Sequence, residues 1–250
     1  MMPTVRVADL ISIIVPVYNE ESTIAAVLER LRTVPLPAPR EIIVVNDGSR
    51  DGTRAALDRI DGRHAEISIV NLAENRGKGH ALRVGLSRAT GTVATIQDAD
   101  LELDPAQIAG LVAPILSDEA DVVYGSRFLN GAGAASGMAL VGNRLLTWAT
   151  NVLYGSSLTD METCYKVMRG DIARGLKLES NRFDIEPEIT AKLLVAGYRV
   201  VERPVSFAPR SKAAGKKIRW RDGVQALRVL MRYRQAGKIA GRPTQRDAAV

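Results

Sequence analysis

Residues 11–17 read Ile-Ser-Ile-Ile-Val-Pro-Val and run into Tyr18-Asn19-Glu20. A short apolar run rich in β-branched residues reads as a buried strand, here with a polar cluster at its end. The pattern then repeats. Glu20–Val34 carries Ile24, Val27, Leu28 and Leu31 at helical spacing, with Ser22 as a candidate N-cap, before the Pro35–Pro39 loop. Glu41–Asn46 is a second strand and Thr53–Ile60 a helix; Ile67–Leu72 is a third strand and Gly79–Ala89 a helix. Val93–Gln97, Pro105–Leu116 and Asp121–Tyr124 continue as strand, helix and strand. Such alternation predicts an α/β fold, a mainly parallel sheet with helices on both faces. Ligands of such sheets bind beyond the carboxyl ends of the strands. Three of those ends carry polar clusters: Tyr18-Asn19-Glu20, Asp47-Gly48-Ser49 and Asp98-Ala99-Asp100. Beyond about Asn130 the alternation weakens, and Gly131–Gly137 reads as a loop of glycine and alanine.

Composition narrows the function classes. The chain has 250 residues, 46% hydrophobic and 25% charged, with one cysteine and two histidines. These are ordinary globular values, large enough for one core without disulfides. A lone Cys164 fits a reducing, cytoplasmic setting, and a Cys/His zinc site is nearly excluded. The net charge of +6 is uneven: residues 210–246 hold 12 cations and one anion, leaving the rest of the chain at −5. A basic segment on an acidic body predicts a polyanionic partner. The division expected is 1–210 as the catalytic domain and 211–250 as basic loop, amphipathic helix and tail. The start of the chain has no signal-peptide core and no run of about 18 apolar residues follows. Gly137–Tyr154 comes nearest, interrupted by Asn143 and Arg144, and reads equally as a helix lying on a membrane surface.

The sharpest local signal is Gln97-Asp98-Ala99-Asp100-Leu101-Glu102. Strand alternation would put Asp98 and Asp100 on one face, with Glu102 following. Neighbouring carboxylates repel, and a hard divalent ion, Mg²⁺ or Mn²⁺, bridging to substrate phosphates would relieve that. The same residues also read as a solvated acidic turn before a helix capped by Asp104. Asp47-Gly48-Ser49 suits recognition of a base or ribose, or merely a strand-to-helix turn. Glu74–His80 is glycine-rich and basic but lacks Walker spacing, so an NTPase is disfavoured. Its Lys78 could still approach a nucleotide phosphate at a helix start.

Taken in order, Val15-Pro16-Val17-Tyr18-Asn19-Glu20, Asn46-Asp47-Gly48-Ser49, Asn75-Arg76-Gly77-Lys78-Gly79, Asp98-Ala99-Asp100 and Gly125-Ser126-Arg127 resemble the family-2 inverting glycosyltransferases of the GT-A fold. The similarity is greatest to dolichol- and polyprenyl-phosphate sugar synthases and spans roughly Leu10–Val224. Asn46 and Glu102 depart from the usual pattern, where many relatives have Asp and Gln. The resemblance implies that Pro16, Tyr18 and Glu20 line the nucleotide pocket, with Asp47 on the base and Asp98 and Ala99 near the ribose or diphosphate. It implies Asp100 and Glu102, with Asp98, as metal ligands, and Arg127 facing a donor or acceptor phosphate. Thr159–Lys166 resembles the acceptor-side segment, and Phe183-Asp184-Ile185-Glu186 the start of a helix behind the site, where Asp184 and Glu186 also read as plain helix caps. Arg210–Lys217 resembles a loop closing over the diphosphate, Arg210 and Lys217 supplying charge. Cys164 reads as a packing residue.

The expected reaction moves a hexose from a nucleotide-sugar of GDP-mannose or UDP-glucose type to a polyprenyl phosphate. Such an acceptor is already ionised and needs no base; a soluble or glycan hydroxyl, the alternative, needs one, with Asp160 or Glu162 as candidates. On that reading a large loss in Asp160→Asn signals a hydroxyl acceptor. A basic amphipathic helix, Arg221–Arg234, suits an anionic membrane face or packing on the body. No nucleic acid is expected as a partner, although a non-catalytic nucleic-acid module is a distant alternative.

Overall fold

The computed structural model describes residues 9–129, 138–209 and 220–239. Arg210, Lys217 and the Gly131–Gly137 segment lie outside them. Among the described residues, seven strands form one sheet in the order β3-β2-β1-β4-β6-β5-β7. They are β1 (Ile11–Val17), β2 (Arg40–Asn46), β3 (Ile67–Asn71), β4 (Val93–Ile96), β5 (Val122–Ser126), β6 (Lys166–Arg169) and β7 (Val200–Pro204). β1 pairs in parallel with β2 and β4, β2 with β3, and β5 with β7. β6 is antiparallel to both β4 and β5. All strands but one therefore point the same way: the sheet is mainly parallel, as the alternation predicted, and mixed through β6.

Both faces are covered. On one face α1 (Ile24–Thr33), α2 (Thr53–Asp58) and α4 (Ile108–Leu116) bury Ile24, Leu28, Leu57, Leu111 and Val112 against Ile11, Ile13, Val15, Ile42 and Val44. On the other, α3 (Lys78–Leu86), α6 (Gly170–Gly175) and α7 (Ile185–Val195) pack Leu82, Ile172, Ile189 and Leu193 on Ile14, Ile43, Val45 and Ile96. The alternation of faces along β1 and β2 is what the two-residue side-chain period dictates. α1 begins at Ile24, later than the spacing predicted. Ser22 is not its cap: the helix starts after Thr23, whose hydroxyl donates to Glu20 Oε2 at 2.9 Å.

α5 (Met138–Tyr154) and α8 (Trp220–Ile239) stand beside α7. Leu230 of α8 is fully buried with Leu158, Met161 and Ala191, and Tyr154 donates to the Leu230 carbonyl at 2.6 Å. α8 is thus packed on the body through one face, rather than standing off as an appendage.

Candidate active site

The carboxyl ends of β1, β2, β4, β5 and β7 and the start of β6 lie on one edge of the sheet, and the polar clusters meet there. The loops after β1 and β2 are laced together. Asn19 adopts a left-handed φ of 54°, donates its N–H to Ser49 Oγ, and accepts from Arg50 N–H. The Glu20 N–H donates to Thr53 Oγ1 at 2.8 Å. Tyr18 and Pro16 are half-buried at this rim, whereas Glu20 is buried.

Asp47, expected on a nucleotide base, is buried and turned elsewhere. Its carboxylate accepts from Asn75 Nδ2 (2.7 Å), the Gly77 N–H (2.7 Å) and the Arg76 N–H (3.0 Å). It therefore shapes the 74–78 loop from below. Gly48, at φ 63°, makes the approach feasible, because a Cβ there would stand 2.5 Å from the Glu74 carbonyl carbon. Gly77 has φ 104° and would drive a Cβ to 2.4 Å from Asn181 O.

Lys78 opens α3 but does not wait for a phosphate in the open. Its ammonium lies 2.8 Å from Asp98 Oδ1 and 3.0 Å from Glu186 Oε1. Glu186 also meets the fully buried Lys166, 2.9 Å away, whose Nζ donates to the Met161 carbonyl. Asp98, Lys78, Glu186 and Lys166 thus form one alternating chain of charge. Burial alone would lower the Lys78 pKa, but Asp98 and Glu186 raise it well above normal. Burial would raise the Asp98 carboxyl, yet Lys78 holds it below the usual range. Glu186 is consequently an ion-pair bridge and not a helix cap. Cys164 packs here as a buried thiol, its pKa pushed up by burial.

After β4 the chain does not continue as a strand. Leu101 has φ 61°, and Asp100 Oδ1 accepts the Glu102 N–H at 3.1 Å. The strand alternation that would align three carboxylates ends at Ile96, before the first of them. Among the described residues no three Asp, Glu, His or Cys side chains stand together as an ion site. What remains fits a hard divalent ion held by one or two carboxylates, Asp100 and Asp98, and completed by substrate phosphates.

Arg127 follows β5. Nε and Nη2 donate to the two oxygens of Asp160 at 2.7 and 2.8 Å, and its backbone N–H donates to Oδ2 at 3.0 Å. The rings of Phe128 and Phe207 flank the guanidinium at 5.6 and 5.3 Å. Asp160 is fully buried and also accepts from Asn143 Nδ2 of α5. Glu202 of β7 clamps the same loop, accepting the N–H groups of Thr159 and Asp160. Glu162 is different. Its Oε1 is buried without a hydrogen-bond partner among the described residues, and burial pushes its carboxyl up to about 7. The roles of Lys166, Glu186 and Glu202 had no local signal, since their partners are remote in sequence.

The sequence profile described as Glycosyl transferase family 2 matches residues 12–173, from β1 through β6, while Glu186, Glu202 and Phe207 lie beyond it. The chain belongs to this family. Among curated relatives, the dodecaprenyl-phosphate galacturonate synthase of Rhizobium johnstonii is 28% identical over 213 residues, covering 82% of this chain and 61% of that protein. The chain thus spans less than two thirds of that relative. The undecaprenyl-phosphate mannosyltransferase of Micrococcus luteus is 28% identical over 215 residues, covering 81% and 85%. The glucosyl-3-phosphoglycerate synthase of Mycobacterium tuberculosis, solved with Mn²⁺, UDP and phosphoglyceric acid, superposes with a TM-score of 0.67 at 16% identity, covering 95% of this chain and 80% of that one. A Pyrobaculum calidifontis mannosyltransferase solved with GDP-mannose and Mn²⁺ gives 0.57 at 20% identity, covering 96% and 78%. The GT-A fold is thereby shown for this glycosyltransferase-family chain.

Proposed function

We propose that the chain transfers a hexose from a nucleotide-sugar to a polyprenyl phosphate with inversion at the anomeric carbon. One observation carries this reading: Asp160, the obvious base, has both oxygens committed to Arg127 and Asn143. A carboxylate so held presents a cation to the acceptor and does not collect its proton. That arrangement suits an acceptor that arrives already anionic. The relatives named for polyprenyl-phosphate acceptors support the same reading.

In the proposed step an oxygen of the acceptor phosphate attacks C1 of the sugar, and the bond from C1 to the diphosphate breaks. The electron pair leaves with the nucleoside diphosphate, and no proton moves. Arg127, flanked by Phe128 and Phe207, orients the acceptor phosphate. Lys78 fixes Asp98 at the donor side, and the Asp47-shaped loop sets the floor of the nucleotide pocket lined by Pro16, Tyr18 and Glu20. A divalent ion, Mg²⁺ or Mn²⁺, held by Asp100 and Asp98 would offset charge on the leaving diphosphate. Arg210 and Lys217 are proposed to add to that charge.

A second reading rests on Glu162. A carboxyl near pKa 7 with an unpartnered oxygen suits a general base toward a hydroxyl acceptor. The test is a donor screen that follows nucleotide release with and without polyprenyl phosphate, in Mg²⁺ and in Mn²⁺. Release that requires polyprenyl phosphate supports the first reading; equal release with a short soluble sugar alone overturns it.

A further inference from the structure

Helix α5 has two faces with different duties. Its inner face helps build the acceptor side of the cleft: Asn143 donates to Asp160, and Thr147 Oγ1 accepts the Met161 N–H. Its outer face carries Val141, Leu145, Trp148 and Val152, which are 66, 60, 62 and 63% exposed. Spacings of four, three and four residues put them on one stripe along the helix. Leaving four large apolar side chains aligned in water is unusual for a surface with nothing to cover it.

The neighbouring α8 repeats the arrangement. Ala226, Val229 and Leu230 are buried, while Val224, Leu227 and Met231 are exposed. At 100° per residue, Arg228 and Arg232 lie on one side of that exposed strip and Arg234 on the other. Together α5 and α8 carry six cations and one anion, Asp222. Two copies meeting through such faces would bring like charges together. An anionic lipid surface is complementary to both features, accepting the apolar stripes below its headgroups and the arginines among them.

We infer that the outer faces of α5 and α8 form a docking surface for an anionic bilayer, through Val141, Leu145, Trp148, Val152, Val224, Leu227 and Met231. No helix among the described residues is long and apolar enough to cross a membrane, so attachment is from one side. The position of the surface gives it a purpose. Arg144 of α5 stands 5.4 Å from the Phe128 ring, which itself flanks Arg127. Docking α5 therefore holds the acceptor end of the cleft about one helix diameter, ~10 Å, from the lipid face. A phosphate on a membrane-embedded chain meets Arg127 there without leaving its bilayer. Only that purpose rests on the polyprenyl-phosphate reading.

The full chain carrying Trp220→Phe leaves Trp148 as the one tryptophan and serves as the probe. Vesicles of phosphatidylcholine, with and without phosphatidylglycerol, are made with and without brominated acyl chains. The expected result is co-sedimentation with the phosphatidylglycerol vesicles and quenching of Trp148 by the brominated chains. Leu145→Glu with Val152→Glu should weaken vesicle partitioning by about tenfold or more, with unchanged melting, since both side chains point outward. Absence of sedimentation overturns the inference. So does sedimentation with Trp148 unquenched, which assigns binding to another basic segment. A dimer by light scattering in which lipid-free Trp148 resists acrylamide overturns it in favour of a second copy. A water-soluble short-chain prenyl phosphate separates the two proposals. Turnover of it without docking leaves the function standing, and docking without any turnover leaves the surface standing.

Discussion

Arg127 and Asp160 meet as a two-point pair, Nε to Oδ2 at 2.7 Å and Nη2 to Oδ1 at 2.8 Å, with the carboxylate fully buried. The acid fixes the direction of the base. Breaking such a pair strands a charge in the interior, at about 3–5 kcal/mol. Asp160→Ala is therefore expected to lower the unfolding free energy by about that much and to cut turnover roughly a hundredfold on any acceptor, through misplaced Arg127. Urea melts and steady-state rates check both. A rate loss in Asp160→Asn accordingly does not distinguish a hydroxyl acceptor from a phosphate.

Glu162 makes that distinction. Glu162→Gln should keep turnover within about threefold with polyprenyl phosphate, and lose about a hundredfold if a hydroxyl is the acceptor. Its stability effect has a definite sign. The folded pKa, about 7, lies above the ordinary 4.5, so its contribution is fully present below 4.5 and is lost as pH rises through 7. Wild type minus Glu162→Gln, measured as unfolding free energy across that window, should fall with rising pH. A flat difference contradicts the burial of this carboxyl.

The bridge at Glu186 gives a stability prediction with an internal control. Glu186→Ala leaves the fully buried Lys166 without its carboxylate, and Lys78 with Asp98 alone, and should cost about 3–5 kcal/mol, roughly 6–20 °C in Tm. Asp184→Ala, two residues away and half-buried, should change stability by less than about 1 kcal/mol. Equal losses would mean that both residues merely cap α7.

Gly77→Ala should destabilise the 74–78 loop by about 2–3 kcal/mol, because it meets a carbonyl oxygen and a disfavoured φ together. Nucleoside diphosphate affinity, measured by calorimetry, should fall with it. Gly62→Ala is the control: its φ of 69° is also positive, but nothing lies within 4 Å, so strain acts without a clash.

The divalent ion is tested by chelation. EDTA should abolish transfer, and Mg²⁺ or Mn²⁺ should restore it. In Asp100→Ala the metal concentration for half-maximal rate should rise at least about tenfold, as expected when one of two carboxylate ligands is lost. Full metal-dependent turnover in that variant removes Asp100 from the site.

The first half of the fold was legible because its elements are local. Ile11–Val17, Glu41–Asn46 and Val93–Gln97 are continuous apolar runs with polar residues at their ends, and the structure places strands there. β6 is only four residues, Lys166–Arg169, and enters antiparallel after the alternation had faded. Within the cleft, the motif positions were readable but their partners were not. Arg127 finds Asp160 33 residues away, and Lys78 finds Glu186 across more than 100. Residue type alone also missed that the strand ends at Ile96 and that Leu101 turns the chain with a positive φ before Glu102. Asp47 reads as a ligand-binding acid in sequence because nothing there announces the three donors of residues 75–77.

The place of β6 has a consequence for how the chain is made. Until residues 166–169 emerge, β3-β2-β1-β4 and β5 share no strand pairing, since β6 alone joins β4 to β5. A nascent chain released before Lys166 leaves the β4 edge open and β5 with neither of its partner strands, exposing the unpaired hydrogen-bonding groups that drive strand-to-strand aggregation. The family match ends at residue 173, just after this closing strand. These four residues thus act as a clasp between the two parts of the sheet during biosynthesis, and ribosome-bound chains should resist proteolysis only once they have cleared the exit tunnel.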